Sequence, residues 1–377
     1  MSSDTPKDFK SMFNPASIQR LGQWVKQLDE AFDEATFAHA ALDGLDSMEM
    51  KARAAHLRDA ILEGSKSSPQ ALIKALVRGL QDEKTRDGAP MGFELWPLTM
   101  LVASHGLSDI DVGFEALVLL TRRFTSEFAV QSFLLHDPAR TLERMRSWAV
   151  SPNEHDRRLV SEGTRTRLPW GRNMTAFFEA HSQEILGLLE LLKDDPAVYV
   201  QKSVANHLND LTRSDPERVL DVLERWNTDA PGGRSWIIRH ALRTLLKQGH
   251  PRALELLGYT QQLDDVQCEV VDCSDTVRFK ESLTWTARIS RSEGATGSKN
   301  LMVDYELGFA SAKGTARKKV FKWRKLTLKP GQCVELEGSF PFKPITTRRY
   351  YDGTHTWTLW INGVPQSTYT FELCEVQ

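Results

Sequence analysis

The hydrophobic period of the chain changes once, near residue 262, and that change splits it into two units of different architecture. Up to Gly258 apolar residues recur at helical spacing. Leu21, Trp24, Val25 and Leu28 stand at i, i+3, i+4 and i+7, and Ile185, Leu188, Leu189 and Leu192 repeat the pattern. Between such runs lie Ser68-Pro69, Asp137-Pro138, Ser151-Pro152, Asp195-Pro196, Asp215-Pro216 and Gly249-His250-Pro251. A Ser or Asp before proline predicts an N-cap with proline at the first helical position, where its missing N–H costs nothing. From Val266 the pattern is that of strands. Val277–Ile289 and Lys299–Phe309 are rich in β-branched and aromatic residues, and His355–Ile361 meets Val364–Phe371 across Asn362-Gly363. Asn-Gly predicts a type I′ hairpin turn, which needs positive φ at both central residues.

The helical part is loosely periodic. Arg158, Lys202 and His240 occupy similar places in Asp-Arg-Arg-Leu, Val-Gln-Lys-Ser and Ile-Arg-His-Ala, 44 and 38 residues apart. That spacing predicts HEAT-like helical-hairpin repeats, which bury a shared core and leave a groove. The β part predicts six or seven strands in a sandwich of immunoglobulin-like architecture. The expected organisation is therefore α + β: a disordered segment 1–13, an all-α HEAT-like solenoid over 14–262 and an Ig-like β-sandwich over 263–377.

At 377 residues two domains are the natural expectation, and the hydrophobic share of 41% with 26% charged residues is globular. The net charge of -2 conceals a local excess: 313–349 hold 11 Lys and Arg against 2 Asp and Glu. A polyanion-binding patch is predicted there. No apolar run reaches the roughly 18 residues of a membrane span. The first eight residues lack the apolar core of a signal peptide, so a cytoplasmic protein with no membrane partner is expected. Cys268, Cys273, Cys333 and Cys374 form no CxxC and have no nearby histidine pair, so they are expected to be reduced, buried thiols rather than a metal site.

Three segments carry chemistry. Glu162 follows Arg158 by four residues, the spacing of an ordinary helical ion pair. It is followed at once by Gly163-Thr-Arg-Thr-Arg-Leu-Pro-Trp170, which sets two arginines and a proline-directed indole beside it. On the predicted helix Val198–Thr212, Val200, Val204, Leu208 and Leu211 form the packing stripe. Lys202, Asn206, Asn209 and Arg213 form a polar stripe with Asp210 on its flank, suited to phosphate and sugar contacts or simply to water. Glu127 follows Thr125-Ser126 at a predicted helix start, where the macrodipole alone favours an acid. The basic run Arg317–Lys325 interleaves Phe321 and Trp323, fitting either a charged sheet edge or a nucleic-acid contact.

Phe124-Thr-Ser-Glu-Phe-Ala-Val130, Arg157–Trp170, Gln201–Asp210 and Ile238-Arg-His-Ala-Leu-Arg-Thr-Leu-Leu-Lys247 together resemble the AlkC branch of the AlkC/AlkD DNA glycosylases. Phe342–Tyr351 resembles the Ig-like domain attached to many members of that branch. The likeness runs from about Asn14 to the end. Gln131-Ser132 stands where the branch has Arg-Pro, and His207 where it has asparagine. The resemblance implies excision of cationic N3-alkylated bases, 3-methyladenine and 3-methylcytosine, from duplex DNA without base flipping. It implies no metal or organic cofactor and places Glu127, Glu162, Asp210 and Trp170 around the damaged nucleotide. Arg157, Arg158, Arg165, Arg167, Lys202, Asn206, Arg239, Lys318, Lys319, Lys322, Arg348 and Arg349 are the expected DNA-binding residues. The expected partner is alkylated double-stranded DNA, met by a monomer without an obligate protein partner. The alternative is a HEAT-repeat scaffold that binds DNA or protein without catalysis.

Overall fold

A computed structural model describes residues 9–311, 317–345 and 348–376. Helices occupy the chain from Pro15 to Glu255 and strands the remainder. The predicted caps form at Ser68, Asp137 and Asp215, each accepting a backbone N–H three residues on, with proline opening the helix. Two predicted caps fail. The helix after Ser151-Pro152 begins at Glu154 under Asn153. The helix after Asp195-Pro196 begins at Val198, and the Asp195 carboxylate takes Arg157 at 2.6 and 3.0 Å and the Ala197 N–H at 2.9 Å, two residues on rather than three. Of the expected disordered segment 1–13, residues 1–8 lie outside the description. Phe9–Met12 instead form a 3₁₀ turn whose Phe9 ring meets Phe93 and Trp170 at 5.8 and 6.2 Å.

Backbone contacts divide the chain differently from the change in period. One unit holds the residues up to Ser214 together with Asp229–Ala241; the other holds Asp215–Thr228 and everything from Leu242. Within the second unit Arg252 binds Glu217, Asp221 and Glu224 of helix Pro216–Asn227. The Gln261 amide donates to the carbonyls of Gly249 and Asn362 at 2.8 and 3.1 Å. These bonds draw helical residues to the strands, so the boundary expected at 262/263 is not where the contacts part.

The strands form two sheets. In one, β1 (Val266–Cys273), β3 (Ser282–Arg291) and β6 (Cys333–Pro341) lie in the order β1-β3-β6. In the other, β2 (Thr276–Arg278), β4 (Lys299–Phe309), β5 (Arg317–Leu328), β7 (Gly353–Ile361) and β8 (Val364–Cys374) lie in the order β2-β8-β7-β4-β5. Leu283, Trp285, Ala287 and Ile289 of β3 share one core with Leu301, Val303, Tyr305 and Leu307 of β4. That is a two-sheet sandwich. Asn362 and Gly363 take φ of 46° and 74°, as the predicted turn requires. Among the described residues eight strands form rather than six or seven, because the run predicted from Val277 breaks at Lys280, whose φ is 81°. The cysteines are free but none is buried: Cys333 is exposed and the other three half-buried. No helix among the described residues is long and apolar enough to cross a membrane.

Candidate functional site

Three helices of the first unit assemble the site. Helix Glu127–His136 starts with its acid, helix Glu154–Gly163 carries Arg158 and Glu162, and helix Val198–Leu211 carries Asp210. Gly163 permits the approach of the first two, since a Cβ there would stand 2.4 Å from Val130 Cγ1. The glycine is needed for closeness rather than for a left-handed turn.

The acids and arginines interleave. Arg158 Nη1 lies 3.0 Å from Glu127 Oε2, and its Nη2 lies 3.6 Å from Glu162 Oε2. Arg165 pairs through Nη1 with Glu162 Oε1, and donates through Nε and Nη2 to Asp210 Oδ2 at 2.8 and 2.7 Å. Two hydroxyls complete the chain: Thr125 Oγ1 donates to Glu127 Oε2 at 2.8 Å, and Ser203 Oγ to Glu162 Oε2 at 2.6 Å. The residues form one line, Glu127–Arg158–Glu162–Arg165–Asp210. Glu127, Glu162 and Asp210 are buried at 9, 5 and 9% exposure, so each shows the surface only an edge. Within that line three carboxylates face two guanidiniums, and Arg213 acts on Asp210 from outside it.

Burial pushes the Glu127 carboxyl above its ordinary range; Arg158 opposes this and the nearby Glu162 reinforces it. Burial likewise raises Asp210, again against a cation, Arg165. His207, wholly buried on the same helix, is pushed down to about 3 by burial and then by Arg165, so it is a neutral ring under the cluster. Arg158 also lies 4.8 Å over the Tyr199 ring.

Trp170 stands apart from the acids. It holds φ 64°, is 44% exposed, and accepts a hydrogen bond from Lys51 Nζ at its carbonyl, 2.9 Å away. Its ring lies 5.5 Å from that of Trp96, which in turn packs on Phe124 and Phe128, the residues bracketing Glu127. Beside it is a cavity of about 200 Å³ lined by Lys51, Trp96, Phe128, Gln131 and Arg172 among others. The Gln131 oxygen accepts the Arg172 N–H at 3.1 Å, and its buried Nε2 has no partner among the described residues. The indole is thus a neighbour of the cluster through an aromatic bridge, not a member of it.

The other expected residues scatter. Arg157 is committed to Asp195 and to the carbonyls of Ser151 and Pro152, which makes it a fastening of the fold rather than a free cation. Arg167, Lys202 and Arg239 are exposed and Asn206 is half-buried. Asn209, expected on the wet stripe, is buried and donates to the Ala241 carbonyl at 2.8 Å. In the β unit Lys318 and Lys322 reach Glu306 and Asp304 at 3.1 and 2.7 Å, so those two cations are already paired. Lys319 is exposed beside Phe321, Arg348 lies 3.8 Å over the Phe309 ring, and Arg349 lies 5.7 Å over Tyr351. Sequence reasoning missed Ser203. The available signal was its place two turns before Asp210, on the same helical face. Among the described residues no group of His, Cys, Asp and Glu has metal-binding geometry.

Known proteins resemble this chain along nearly its whole length. The family model described as DNA alkylation repair enzyme matches residues 125–245, the span that holds the cluster. A second, described as the C-terminal Ig-like domain of the uncharacterised protein YhaZ, matches residues 268–375. YhaZ of Bacillus subtilis is 32% identical over 371 residues, covering 97% of this chain and 99% of that protein. The structure of the Pseudomonas fluorescens alkylpurine DNA glycosylase AlkC, bound to DNA containing an abasic site analog, superposes with a TM-score of 0.83. It is 32% identical and covers 97% of this chain and 99% of that one.

Proposed function

The chain belongs to the AlkC branch of the DNA alkylation repair enzymes, and on that premise we propose that it is a DNA glycosylase for cationic N3-alkylated bases. Its substrates are 3-methyladenine and 3-methylcytosine in duplex DNA, reached as a monomer in the bacterial cytoplasm without turning the nucleotide out of the stack. The observation that carries this reading is the buried line Glu127–Arg158–Glu162–Arg165–Asp210, which concentrates carboxylates where a neutral binding surface has no use for them.

A base alkylated at N3 already bears a positive charge, so it needs no general acid to leave. As the C1′–N bond breaks, both electrons pass to the base, which departs neutral, and the charge moves to the sugar. Water then bonds to C1′ and gives its proton to a carboxylate or to solvent. An ionised carboxylate about 4 Å from that sugar is worth roughly 4 kcal/mol at an effective dielectric near 20, on the order of a thousandfold in rate. A neutral lesion gains much less, because its own leaving step requires a proton that these groups do not supply. Trp170 offers a π face to the cation from the flank. Arg158 and Arg165 are held by the acids, so exposed Arg167, Lys202 and Arg239 provide the positive groups for phosphate.

The test is chemical. Methylated duplex DNA incubated with the protein releases 3-methyladenine and 3-methylcytosine, resolved by chromatography, and leaves abasic sites. Binding without release of any base would instead mark a scaffold.

A further inference from the structure

The three acids of the cluster are not equivalent in their contacts. Among the described residues Glu127 is engaged only at Oε2, which receives Arg158 and Thr125, and Asp210 only at Oδ2, which receives Arg165 twice. Glu162 alone is engaged at both oxygens: Oε1 by Arg165, Oε2 by the Ser203 hydroxyl at 2.6 Å with Arg158 close by. It also sits at the centre of the line, and its side chain is the most enclosed of the three, at 7% exposure against 11% for each of the others.

We propose that Ser203 is a positioning residue which, by fixing Glu162 between the two arginines, sets the separation of Glu127 and Asp210, the acids whose remaining oxygens meet the sugar and the attacking water. Ser203 and Asp210 are two turns apart on one face of helix Val198–Leu211, so the same backbone carries the clamp and one of the acids it serves. The hydroxyl also joins that helix directly to the last turn of helix Glu154–Gly163. Without it, Glu162 is free to follow either arginine, and both outer acids lose their common reference. A hydrogen bond from a neutral hydroxyl to a buried carboxylate is among the stronger ones, so its loss is not absorbed by water.

This rests on the glycosylase reading, and one experiment separates the two. The full chain is assayed with duplex DNA containing 3-methyladenine, under single turnover for rate and by direct titration for affinity. If the unaltered protein releases no base, the glycosylase reading itself is lost. Given release, Ser203→Ala is expected to slow the step by about tenfold, the scale of one charge-assisted hydrogen bond, with duplex affinity unchanged. Ser203→Thr, which keeps the hydroxyl, restores the rate. Glu162→Gln combined with Ser203→Ala is no slower than Glu162→Gln alone, because the serine acts only through that carboxylate. A Ser203→Ala rate within twofold of the unaltered protein overturns the inference. So does an additive double variant, or a loss of duplex affinity in step with the rate.

Discussion

Glu127 opens its helix, and in the sequence that position reads as a dipole effect, since acids are favoured in any first turn. Its partners make it more than that: burial raises its pKa in spite of Arg158. Asp210 is raised in the same way. Both acids serve a cationic sugar only when ionised. Base release should therefore fall on acidification with a midpoint above the ordinary carboxylate values of 4.5 and 3.8, which a pH–rate profile under single turnover checks. The stability sign is opposite to that of a usual salt bridge. A carboxyl with a raised folded pKa favours the fold below its unfolded pKa, and that contribution is lost as pH rises through the folded value. Glu127→Gln is accordingly expected to leave the thermal midpoint at neutral pH unchanged or higher while base release drops, a pattern that calorimetry and kinetics test together. Trp170 was legible as a special residue from Pro169 and the two arginines before it. That it would lie on Trp96 was not, because Trp96 is distant in sequence and nothing local specifies the pairing.

Elements were the most legible scale. The strand read at Lys299–Phe309 and the Asn362-Gly363 hairpin form as expected, because alternation and turn chemistry are local signals. The stripe Val200, Val204, Leu208 and Leu211 is buried as read. The error lies on the polar stripe of that helix, where Asn209 and the flanking Asp210 looked wet and are buried instead. The Ala241 carbonyl takes Asn209 and Arg165 takes Asp210, and a polar face gives no advance notice of partners 32 and 45 residues away. Gly163 controls the packing of its helix against helix Glu127–His136. Gly163→Ala is expected to destabilise the protein by about 1–3 kcal/mol through overpacking against Val130, and to slow base release as the acids separate. Denaturant titration with the release assay measures both. In the hairpin, Asn362 is wholly buried, accepts the Met302 N–H at 2.7 Å and donates to the Thr260 carbonyl at 2.6 Å. Asn362→Ala should cost about 2–4 kcal/mol by stranding those groups, seen as a lower unfolding midpoint.

For the whole molecule, the near-zero net charge hid two separate arrangements. One is the cluster of three buried carboxylates interleaved with arginines. The other is the basic β5 strand, where Lys318 and Lys322 are paired with acids of β4 while Lys319 and Arg324 are exposed without an acidic partner among the described residues. The second pair should therefore carry the phosphate contacts of that strand. Replacing Lys319 and Arg324 by glutamine is expected to weaken duplex binding and to reduce the slope of log affinity against log salt by up to about 2, whereas Lys318→Gln changes it little. Two units were visible in the change of period, but not their extent. Helix Pro216–Asn227 looks like its neighbours in sequence, and its place in the second unit, where Arg252 bonds it to helix Pro251–Glu255, has no local signal. The central claim is that buried carboxylates lower the energy of a sugar becoming cationic. The most direct measurement is the single-turnover rate of 3-methyladenine release from duplex DNA by the unaltered protein, by Glu127→Gln and by Asp210→Asn, each at equal DNA occupancy. The account predicts losses of about a hundredfold or more for both variants with affinity retained; release at the unaltered rate by either one would contradict it.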